Sequence, residues 1–392
     1  MYDVEKKQPG TKVRIDSKEF SRIKESVKYM KLAQKEKNGE VHLPIDLGLF
    51  VTGKCNLRCK HCFEWNDNGF LSNGDKAYAN GEMPIEHIKE CLEYTKPVKS
   101  RLFIWGGEPL LYSKFSELCQ LLEEDKRWVT MCTNGMLIED KLEDILPISE
   151  NLVLLVSVDG FEECHEGIRG KGTFKRTMEN IKKVTALIRK GDYKGKISVN
   201  CVISNEMIGR LHDFCELMEE VGIDTLYICF PWYISEETAC EMDRFAKENF
   251  SDLVQVENYE EASWHDFSYH LDNNLLPELK EDLKHIIEKE WRIRVRFQPA
   301  LELDEVEDFI QGGMKCAQGR KKCFANVNRL DVLQNGEVSV CKLFKEFSVG
   351  NLRDSRVNEI WEGERINEFR KRMNCGLMPI CSKCVLLYLN GV

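Results

Sequence analysis

The chain has 392 residues, of which 42% are hydrophobic and 31% are charged, with 10 prolines and 26 glycines. This composition is too apolar for a disordered protein and too poor in glycine and proline for a fibrous one, and the length predicts two or three domains. We find no signal-like apolar segment at the N-terminus and no run near the roughly 18 apolar residues that span a bilayer, so we expect a cytoplasmic protein with no membrane partner. The net charge of −10 disfavours general nucleic-acid binding.

Residues 1–44 form an N-terminal helical extension before the first predicted strand, with one helical stretch around residues 17–37. From residue 45 to residue 235, short apolar runs alternate with amphipathic stretches. The predicted strands are Ile45–Val51, Leu102–Trp105, Val129–Cys132, Leu152–Val158, Ile197–Ile203 and Thr225–Phe230, and the predicted helices lie near residues 84–95, 113–124, 138–147, 173–189 and 206–220. Six βα-type repeats with continuous apolar strands predict an α/β fold with a parallel sheet. They are too few for a closed eight-stranded barrel but suit an open or partial one.

Two further segments follow this α/β core. Residues 236–315 are strongly acidic, with 21 acidic against 8 basic residues between Glu236 and Asp308. Such a charge excess is typical of a solvated helical connector, and the alternative is a surface that attracts a basic partner such as a cationic peptide. Residues 316–392 form a short, cysteine-rich unit with a β-then-helix pattern.

The chain has 17 cysteines, and two groups of them need a chemical explanation. In a reducing compartment, dense cysteine usage indicates metal ligation or redox chemistry before disulfides. Directly after the first strand, Cys55, Cys59 and Cys62 have the spacing C-x3-C-x2-C. Three thiolates on one loop hold one metal or cluster, and on a [4Fe–4S] cube they leave one iron open to another ligand. The alternative is a zinc site completed by His61.

Three motifs stand at the ends of the next strands: Trp105–Pro109 (WGGEP), Thr133–Gly135 (TNG) and Ser157–Gly160 (SVDG). Since the carboxyl ends of parallel strands line one shared face, we expect these groups to converge on the cysteine loop. Glycines permit close approach to a ligand, and carboxylate and hydroxyl groups bind polar ones. Together they suit a ligand made of an amino acid joined to a ribose.

The C-x3-C-x2-C motif followed by GGEP and SVDG resembles the radical S-adenosylmethionine (SAM) enzymes over roughly residues 44–235. The resemblance implies a partial (β/α)6 TIM-like barrel whose Cys55, Cys59 and Cys62 bind a [4Fe–4S] cluster that chelates SAM. One-electron cleavage of SAM would then give a 5′-deoxyadenosyl radical, with a flavodoxin- or ferredoxin-type reductant as the implied electron donor. The SAM contacts implied by the resemblance are Gly106, Gly107, Glu108, Ser157, Asp159, Arg169, Val202 and Phe230.

In the C-terminal unit, Cys323, Cys341, Cys381 and Cys384 give C-x17-C and then C-x2-C, with Gly336 placed for a hairpin turn. Four thiolates close a [4Fe–4S] cluster or fill a zinc site. The pattern is similar to the SPASM/Twitch auxiliary-cluster domains of radical SAM enzymes. Because no cysteine follows Cys384, the resemblance implies one auxiliary [4Fe–4S] cluster, the Twitch arrangement. Cys316 is an alternative ligand, and Cys375 is predicted to be structural.

An auxiliary cluster in this family implies net oxidation of the substrate. We therefore predict oxidative modification of a ribosomally synthesised peptide by a cross-link, a thioether or dehydrogenation. The alternatives are a dehydrogenase of a sugar or other small alcohol, a sulfatase-maturing enzyme, a peptide epimerase, and a non-catalytic iron–sulfur scaffold. Lys342 stands where sulfatase-maturing enzymes have an Asp base, which disfavours that reading. Cys229, at the end of the sixth strand, is the candidate hydrogen donor for epimerisation.

Overall fold

The computed structural model describes residues 8–35, 41–67, 69–72, 76–254, 256–342 and 344–392. The strands are β1 (Gly10–Thr11), β2 (Asp46–Phe50), β3 (Arg101–Trp105), β4 (Val129–Thr133), β5 (Leu152–Ser157), β6 (Lys196–Val202), β7 (Thr225–Cys229), β8 (Glu290–Trp291), β9 (Arg294–Gln298), β10 (Arg329–Val332), β11 (Glu337–Ser339) and β12 (Ser348–Asn351). The last two residues of the helix predicted at 17–37, and parts of the 1–44 extension, lie outside the described residues.

The helices are α1 (Ser17–Lys35), α2 (Lys76–Ala79), α3 (Ile85–Tyr94), α4 (Phe115–Glu124), α5 (Leu142–Ile148), α6 (Glu162–Arg169), α7 (Thr173–Lys190), α8 (Leu211–Val221), α9 (Glu236–Asn249), α10 (Leu276–Glu288), α11 (Val306–Ile310), α12 (Ala325–Asn328), α13 (Val357–Trp361), α14 (Glu364–Cys375) and α15 (Val385–Asn390). None of these helices, nor any other in the part of the chain that is described, is long and apolar enough to cross a membrane.

One ten-stranded sheet organises the fold, in the order β12-β11-β10-β2-β3-β4-β5-β6-β7-β9. The eight adjacent strands from β10 to β9 run parallel. The six predicted strands are β2 to β7, and each lies within one residue of its predicted limits. Every residue of these six strands is buried or half-buried, so both faces of the sheet are covered, which is why the strands read as continuous apolar runs. The predicted parallel α/β architecture is confirmed.

The acidic segment 236–315 differs from its prediction as a helical connector. It contains α9, α10 and α11, but β9 within it pairs in parallel with β7 and so extends the sheet. In β9, Val295 and Phe297 are buried, while Arg294, Arg296 and Gln298 are half-buried. This period-two alternation is the mark of a strand, but the charge excess of the surrounding segment hid it.

The C-terminal unit joins the sheet at the opposite end. Strand β10 pairs in parallel with β2 and antiparallel with β11. The turn between β10 and β11 contains Gly336, whose φ of +87° lies in the region that favours glycine. The hairpin predicted there is confirmed, and it lies in the same sheet as the α/β core.

A buried carboxylate connects the acidic segment to the C-terminal unit. Glu346 accepts hydrogen bonds from the backbone nitrogen of Ser263 at 2.7 Å and from its hydroxyl at 2.6 Å. Next to Ser263, the ring of Trp264 is fully buried and lies 6.2 Å from that of Phe347. These contacts fix the segment before β9 against the unit that carries the last four cysteines.

We expect Glu346→Ala to lower the free energy of unfolding by about 1–3 kcal/mol, because the buried amide and hydroxyl of Ser263 lose their acceptor. Urea denaturation followed by circular dichroism measures this change. The matched control is Glu248→Ala, which removes an exposed glutamate of α9 and should change stability by less than about 0.5 kcal/mol. Equal losses in the two variants would contradict the role assigned to Glu346.

Candidate active site

A cavity of about 350 Å³ lies at the carboxyl end of the parallel sheet. Six of its lining residues are each the last residue of a strand: Trp105, Thr133, Ser157, Val202, Cys229 and Gln298. The cavity also contacts Cys55, Cys59 and Cys62 of the loop that follows β2. The predicted convergence of the strand ends on the cysteine loop is therefore what the structure has.

The cysteine loop is held in place by the two glycines that follow β3. The backbone nitrogen of Gly107 donates to the carbonyl of Thr52 at 2.9 Å, and that of Glu108 donates to the carbonyl of Lys54 at 2.8 Å. Gly106 has a φ of +143°, and a Cβ on it would lie 2.4 Å from the Thr52 carbonyl oxygen. Glycine is required here because two backbone segments approach closely just before the first cysteine.

Glu108 connects the GGEP motif to the next strand end. Its carboxylate is fully buried and accepts from the Thr133 hydroxyl and the Asn134 backbone nitrogen, both at 2.7 Å. Burial raises the pKa of Glu108, although these hydrogen bonds oppose the shift. Asn134 in turn donates from its side chain to Asn56 on the cysteine loop at 2.8 Å. In this structure Glu108 therefore connects the GGEP motif to the end of β4 and, through Asn134, to the cysteine loop. Its contact with SAM stays a prediction.

Asp159 is the electrostatic centre of the opposite wall. Its fully buried carboxylate accepts from Arg169 Nε at 2.6 Å and from the Val202 backbone nitrogen at 3.0 Å, and it lies 2.8 Å from His61 Nε2. Burial alone would raise the pKa of Asp159, but the charges of Arg169 and His61 outweigh it and hold that pKa well below its usual range. The carboxylate is thus ionised and engaged by protein partners, and its contact with SAM stays a prediction.

Arg169 places its guanidinium between a carboxylate and a cysteine. Besides the bond to Asp159, its Nη1 lies 3.6 Å from Cys59 Sγ, and the residue lines the cavity. Because a guanidinium carries five donors, it retains capacity for a carboxylate of a bound ligand. His61 has its Nε2 engaged by Asp159, which disfavours the alternative of a zinc site completed by that nitrogen.

Cys229 lies where the sequence predicted, in the cavity wall at the end of β7. It is 4% exposed, and its Sγ lies 2.9 Å from Asn200 Oδ1 and 3.7 Å from Gln298 Oε1. Burial raises the pKa of this thiol, so it keeps its proton at neutral pH. Phe230 is next to it in the same wall and is 1% exposed.

The last cysteines also gather in one place. Burial raises the pKa of all four thiols. Cys323, Cys381 and Cys384 also lie close enough to Cys341 that their negative charge, when ionised, raises its pKa further. Cys316 acts on Cys381 in the same way. It therefore stays an alternative ligand. By contrast, Cys375 is exposed at the end of α14 and contacts the carbonyl of Lys371 at 3.6 Å.

A single zinc ion needs ligand atoms that lie close together. Four thiolates bound to zinc at about 2.3 Å would lie within about 4 Å of one another. Among the described residues, only His212, Asp213 and Glu216 bring three such ligand atoms within 4.8 Å of each other, and two of these residues are exposed. Within the described part of the chain, neither cysteine group meets this spacing.

Sequence reasoning did not place several residues in the cavity wall, among them four polar ones. Asn200 and Gln298 lie in β6 and β9, and Trp232 and Lys342 follow β7 and β11. The alternation in β9 would have revealed Gln298. Lys342 was noticed only as a departure from a family pattern, because nothing in its own neighbourhood along the chain shows that it reaches the cavity.

Sequence models of known families match both halves of the chain. The radical SAM superfamily matches residues 49–215, and the SPASM iron–sulfur cluster-binding domain matches residues 323–385. The chain is 24% identical over 347 residues to the AdoMet-dependent heme synthase of Methanosarcina barkeri, covering 85% of this chain and 89% of that protein. It is 23% identical over 371 residues to the subtilosin biosynthesis protein AlbA of Bacillus subtilis, covering 90% and 70%.

Among solved structures, the fold is similar to that of SuiB from Streptococcus suis. SuiB bound to S-adenosylmethionine gives a TM-score of 0.56 at 18% identity, covering 92% of this chain and 74% of SuiB. SuiB bound to its precursor peptide SuiA gives 0.55 at 17% identity, covering 91% and 73%. The cofactors that belong to the two matched domains are SAM, a radical SAM [4Fe–4S] cluster and an auxiliary iron–sulfur cluster. The chain is therefore an enzyme of the radical SAM superfamily with a C-terminal SPASM-type auxiliary cluster domain.

Proposed function

We propose that the enzyme oxidatively modifies a ribosomally synthesised peptide inside the cavity. The observation that carries this proposal is that one cavity contacts both the first cysteine group and the helix that follows the last cysteine of the second group. Its wall includes Cys55, Cys59 and Cys62 on one side, and Val385, Leu386 and Leu389 of α15, which begins directly after Cys384, on the other. A substrate that fills this cavity would lie between the two cysteine groups.

We assign the [4Fe–4S] cluster to Cys55, Cys59 and Cys62, and the auxiliary cluster to Cys323, Cys341, Cys381 and Cys384. When bound, SAM on the first cluster supplies the 5′-deoxyadenosyl radical that removes a hydrogen atom from the substrate. Arg169, fixed by Asp159, is placed to bind the carboxylate of SAM, and the backbone at Gly106 and Gly107 to bind its amino group. The remaining SAM contacts in this proposal are Ser157, Val202 and Phe230 in the wall and Glu108 beneath it.

The chain's own residues keep water away from the reaction. The rings of Phe63 and Phe267 stack at 4.7 Å with an interplanar angle of 14°, and both line the cavity. Trp105 and Phe230 close other parts of the wall and are each at least nine-tenths buried. An apolar wall of this kind suits a substrate radical, which must be kept from side reactions with solvent.

Three observations favour a peptide over a small molecule. AlbA acts in the biosynthesis of the bacteriocin subtilosin, and SuiB binds the precursor peptide SuiA. The segment 236–315 is strongly acidic and contributes Asp266, Phe267 and Tyr269 to the cavity wall. The negative charge of this segment suits basic residues in a peptide chain that extends out of the cavity. The similarity to a heme synthase supports a small-molecule substrate as the alternative.

The test begins with anaerobic reconstitution and counting of iron and sulfide. We expect about eight irons per chain, formation of 5′-deoxyadenosine with dithionite, and a peptide product about two mass units lighter than the substrate. Candidate peptides are those encoded next to the enzyme.

Paired variants separate the two clusters. The Cys55→Ala/Cys59→Ala/Cys62→Ala variant should lose about four irons and SAM cleavage, whereas Cys381→Ala/Cys384→Ala should keep SAM cleavage and lose the oxidised product. Cys375→Ala is the control and should behave as wild type. A peptide product of unchanged mass would contradict an oxidation.

Epimerisation is the second candidate, because the Cys229 thiol lies in the cavity wall and retains its proton. If this thiol donates a hydrogen atom to the substrate radical, product formed in D2O should carry one deuterium at the epimerised carbon. Cys229→Ala should then keep SAM cleavage and lose that product. Cys215→Ala, which removes a fully buried thiol outside the cavity wall, is the matched control. Normal turnover of Cys229→Ala would exclude the epimerase.

A further inference from the structure

Lys342 brings a positive charge into the cavity. Its Nζ lies 3.9 Å from the ring centroid of Phe103 and 4.3 Å from that of Trp105, and the side chain is partly exposed toward the cavity that it lines. Cation–π interactions with two aromatic rings hold the ammonium group at a defined position.

Lys342 differs from the other cations of the cavity wall in having no acidic contact. Arg169 is paired with Asp159 at 2.6 Å, and Arg329 is paired with Asp331 at 2.7 Å. Among the described residues, no carboxylate lies within the 4.0 Å of Lys342 Nζ that defines an ion pair, although Glu64 and Asp266 line the same cavity.

Two indole N–H groups in the same wall also lack acceptors. Nε1 of Trp105 and Nε1 of Trp232 are buried and have no hydrogen-bond partner within the described part of the chain. Trp105 is only 6% exposed, and its ring is one of the two that contact Lys342. Buried donors are normally satisfied in proteins, so a donor left open in a cavity wall indicates that a ligand supplies the acceptor.

The other polar groups near these donors leave the charge of Lys342 available. Asp266 lines the same cavity, and burial, together with the charge of Glu346, raises its pKa to about 8, so its protonated form is favoured at neutral pH. Among the described residues, an ammonium without an ion-paired carboxylate and two indole N–H groups without acceptors line one wall, and together they favour a ligand acceptor that carries negative charge.

We propose that Lys342, assisted by the indole N–H groups of Trp105 and Trp232, binds a carboxylate of the substrate. This inference rests on the proposed function and narrows it: the modified residue of the peptide would be, or be next to, an aspartate, a glutamate or a C-terminal carboxylate. Lys342 is then a specificity-determining residue at the position that follows Cys341 in the chain.

The test measures binding to the reconstituted enzyme with SAM present and without reductant. The probes are N-acetyl-aspartate N-methylamide and N-acetyl-glutamate N-methylamide, each compared by calorimetry or ligand-detected NMR with its neutral asparagine or glutamine counterpart. We expect at least one acid to bind about tenfold more tightly than its amide, the size of one charge-assisted hydrogen bond. SAM occupies the Arg169 side, so the preference reports on Lys342.

Substitutions of Lys342 test whether this residue causes the preference for the acid over the amide. Lys342→Met should abolish it, while Lys342→Arg should retain most of it because the charge remains. Lys345→Met is the matched control, since it removes a lysine three residues away that does not line the cavity. Iron and sulfide counts show whether each variant keeps the auxiliary cluster. If Lys342→Met loses the auxiliary cluster, Trp232→Phe is the second variant. This substitution removes one N–H donor and should weaken binding of the acid more than binding of the amide.

Each outcome decides the inference. Equal affinity for acid and amide, absence of binding by both acids at millimolar concentration, or an acid preference that survives in Lys342→Met would overturn it. Because binding needs no turnover, its result is separate from the peptide test. Acid-selective binding without peptide modification would overturn the proposed function alone, and peptide modification without acid preference would overturn only the role of Lys342.

Discussion

The buried ion pair between Asp159 and Arg169 is the interaction on which the site depends. A fully buried carboxylate is expensive in free energy unless donors surround it, and here a guanidinium, a backbone amide and an imidazole do so. These donors come from α6, from β6 and from the cysteine loop. One carboxylate therefore fixes three segments that are distant in the chain, and it turns Arg169 toward Cys59. Losing it would leave an uncompensated guanidinium inside the protein, next to the cysteines.

A second constraint acts on the other side of the cysteine loop, and it is steric. Gly106 and Gly107 let the backbone after β3 donate hydrogen bonds to the segment that leads into Cys55, and side chains at these positions would collide with that segment. Glu108 then extends the contact to the end of β4. The loop is thus held by backbone bonds on one side and by charge on the other. Such preorganisation lets three thiols meet one cluster without reordering the chain.

The sequence predicts features that depend on neighbouring residues, and it does not predict contacts between residues that are distant in the chain. Strands β2 to β7 are continuous apolar runs because both faces of the sheet are covered, and the motifs at their ends converge because the strands are parallel. By contrast, β9 was missed because its alternation is short and lies in a segment dominated by charge. The partners of Asp159 were out of reach for another reason: His61 is 98 residues away in the chain, and only the folded strand order brings the two side chains together. Lys342 was seen, but its contact with Trp105 depends on the same long-range order.

Strand order also explains why the C-terminal unit reaches the cavity that the first cysteine group lines. The C-terminal unit adds β10 directly beside β2, and the end of β2 leads into the loop of Cys55, Cys59 and Cys62. The second group is therefore placed beside the first by hydrogen bonds of the main sheet rather than by the docking of an independent domain. Strand β9 extends the opposite edge and brings part of the acidic segment into the cavity wall. A single sheet extended at both edges gives one cavity lined by the first cysteine group, by the helix that follows Cys384 and by Lys342, and this is the physical basis for proposing that the substrate is held by its charge while it is oxidised.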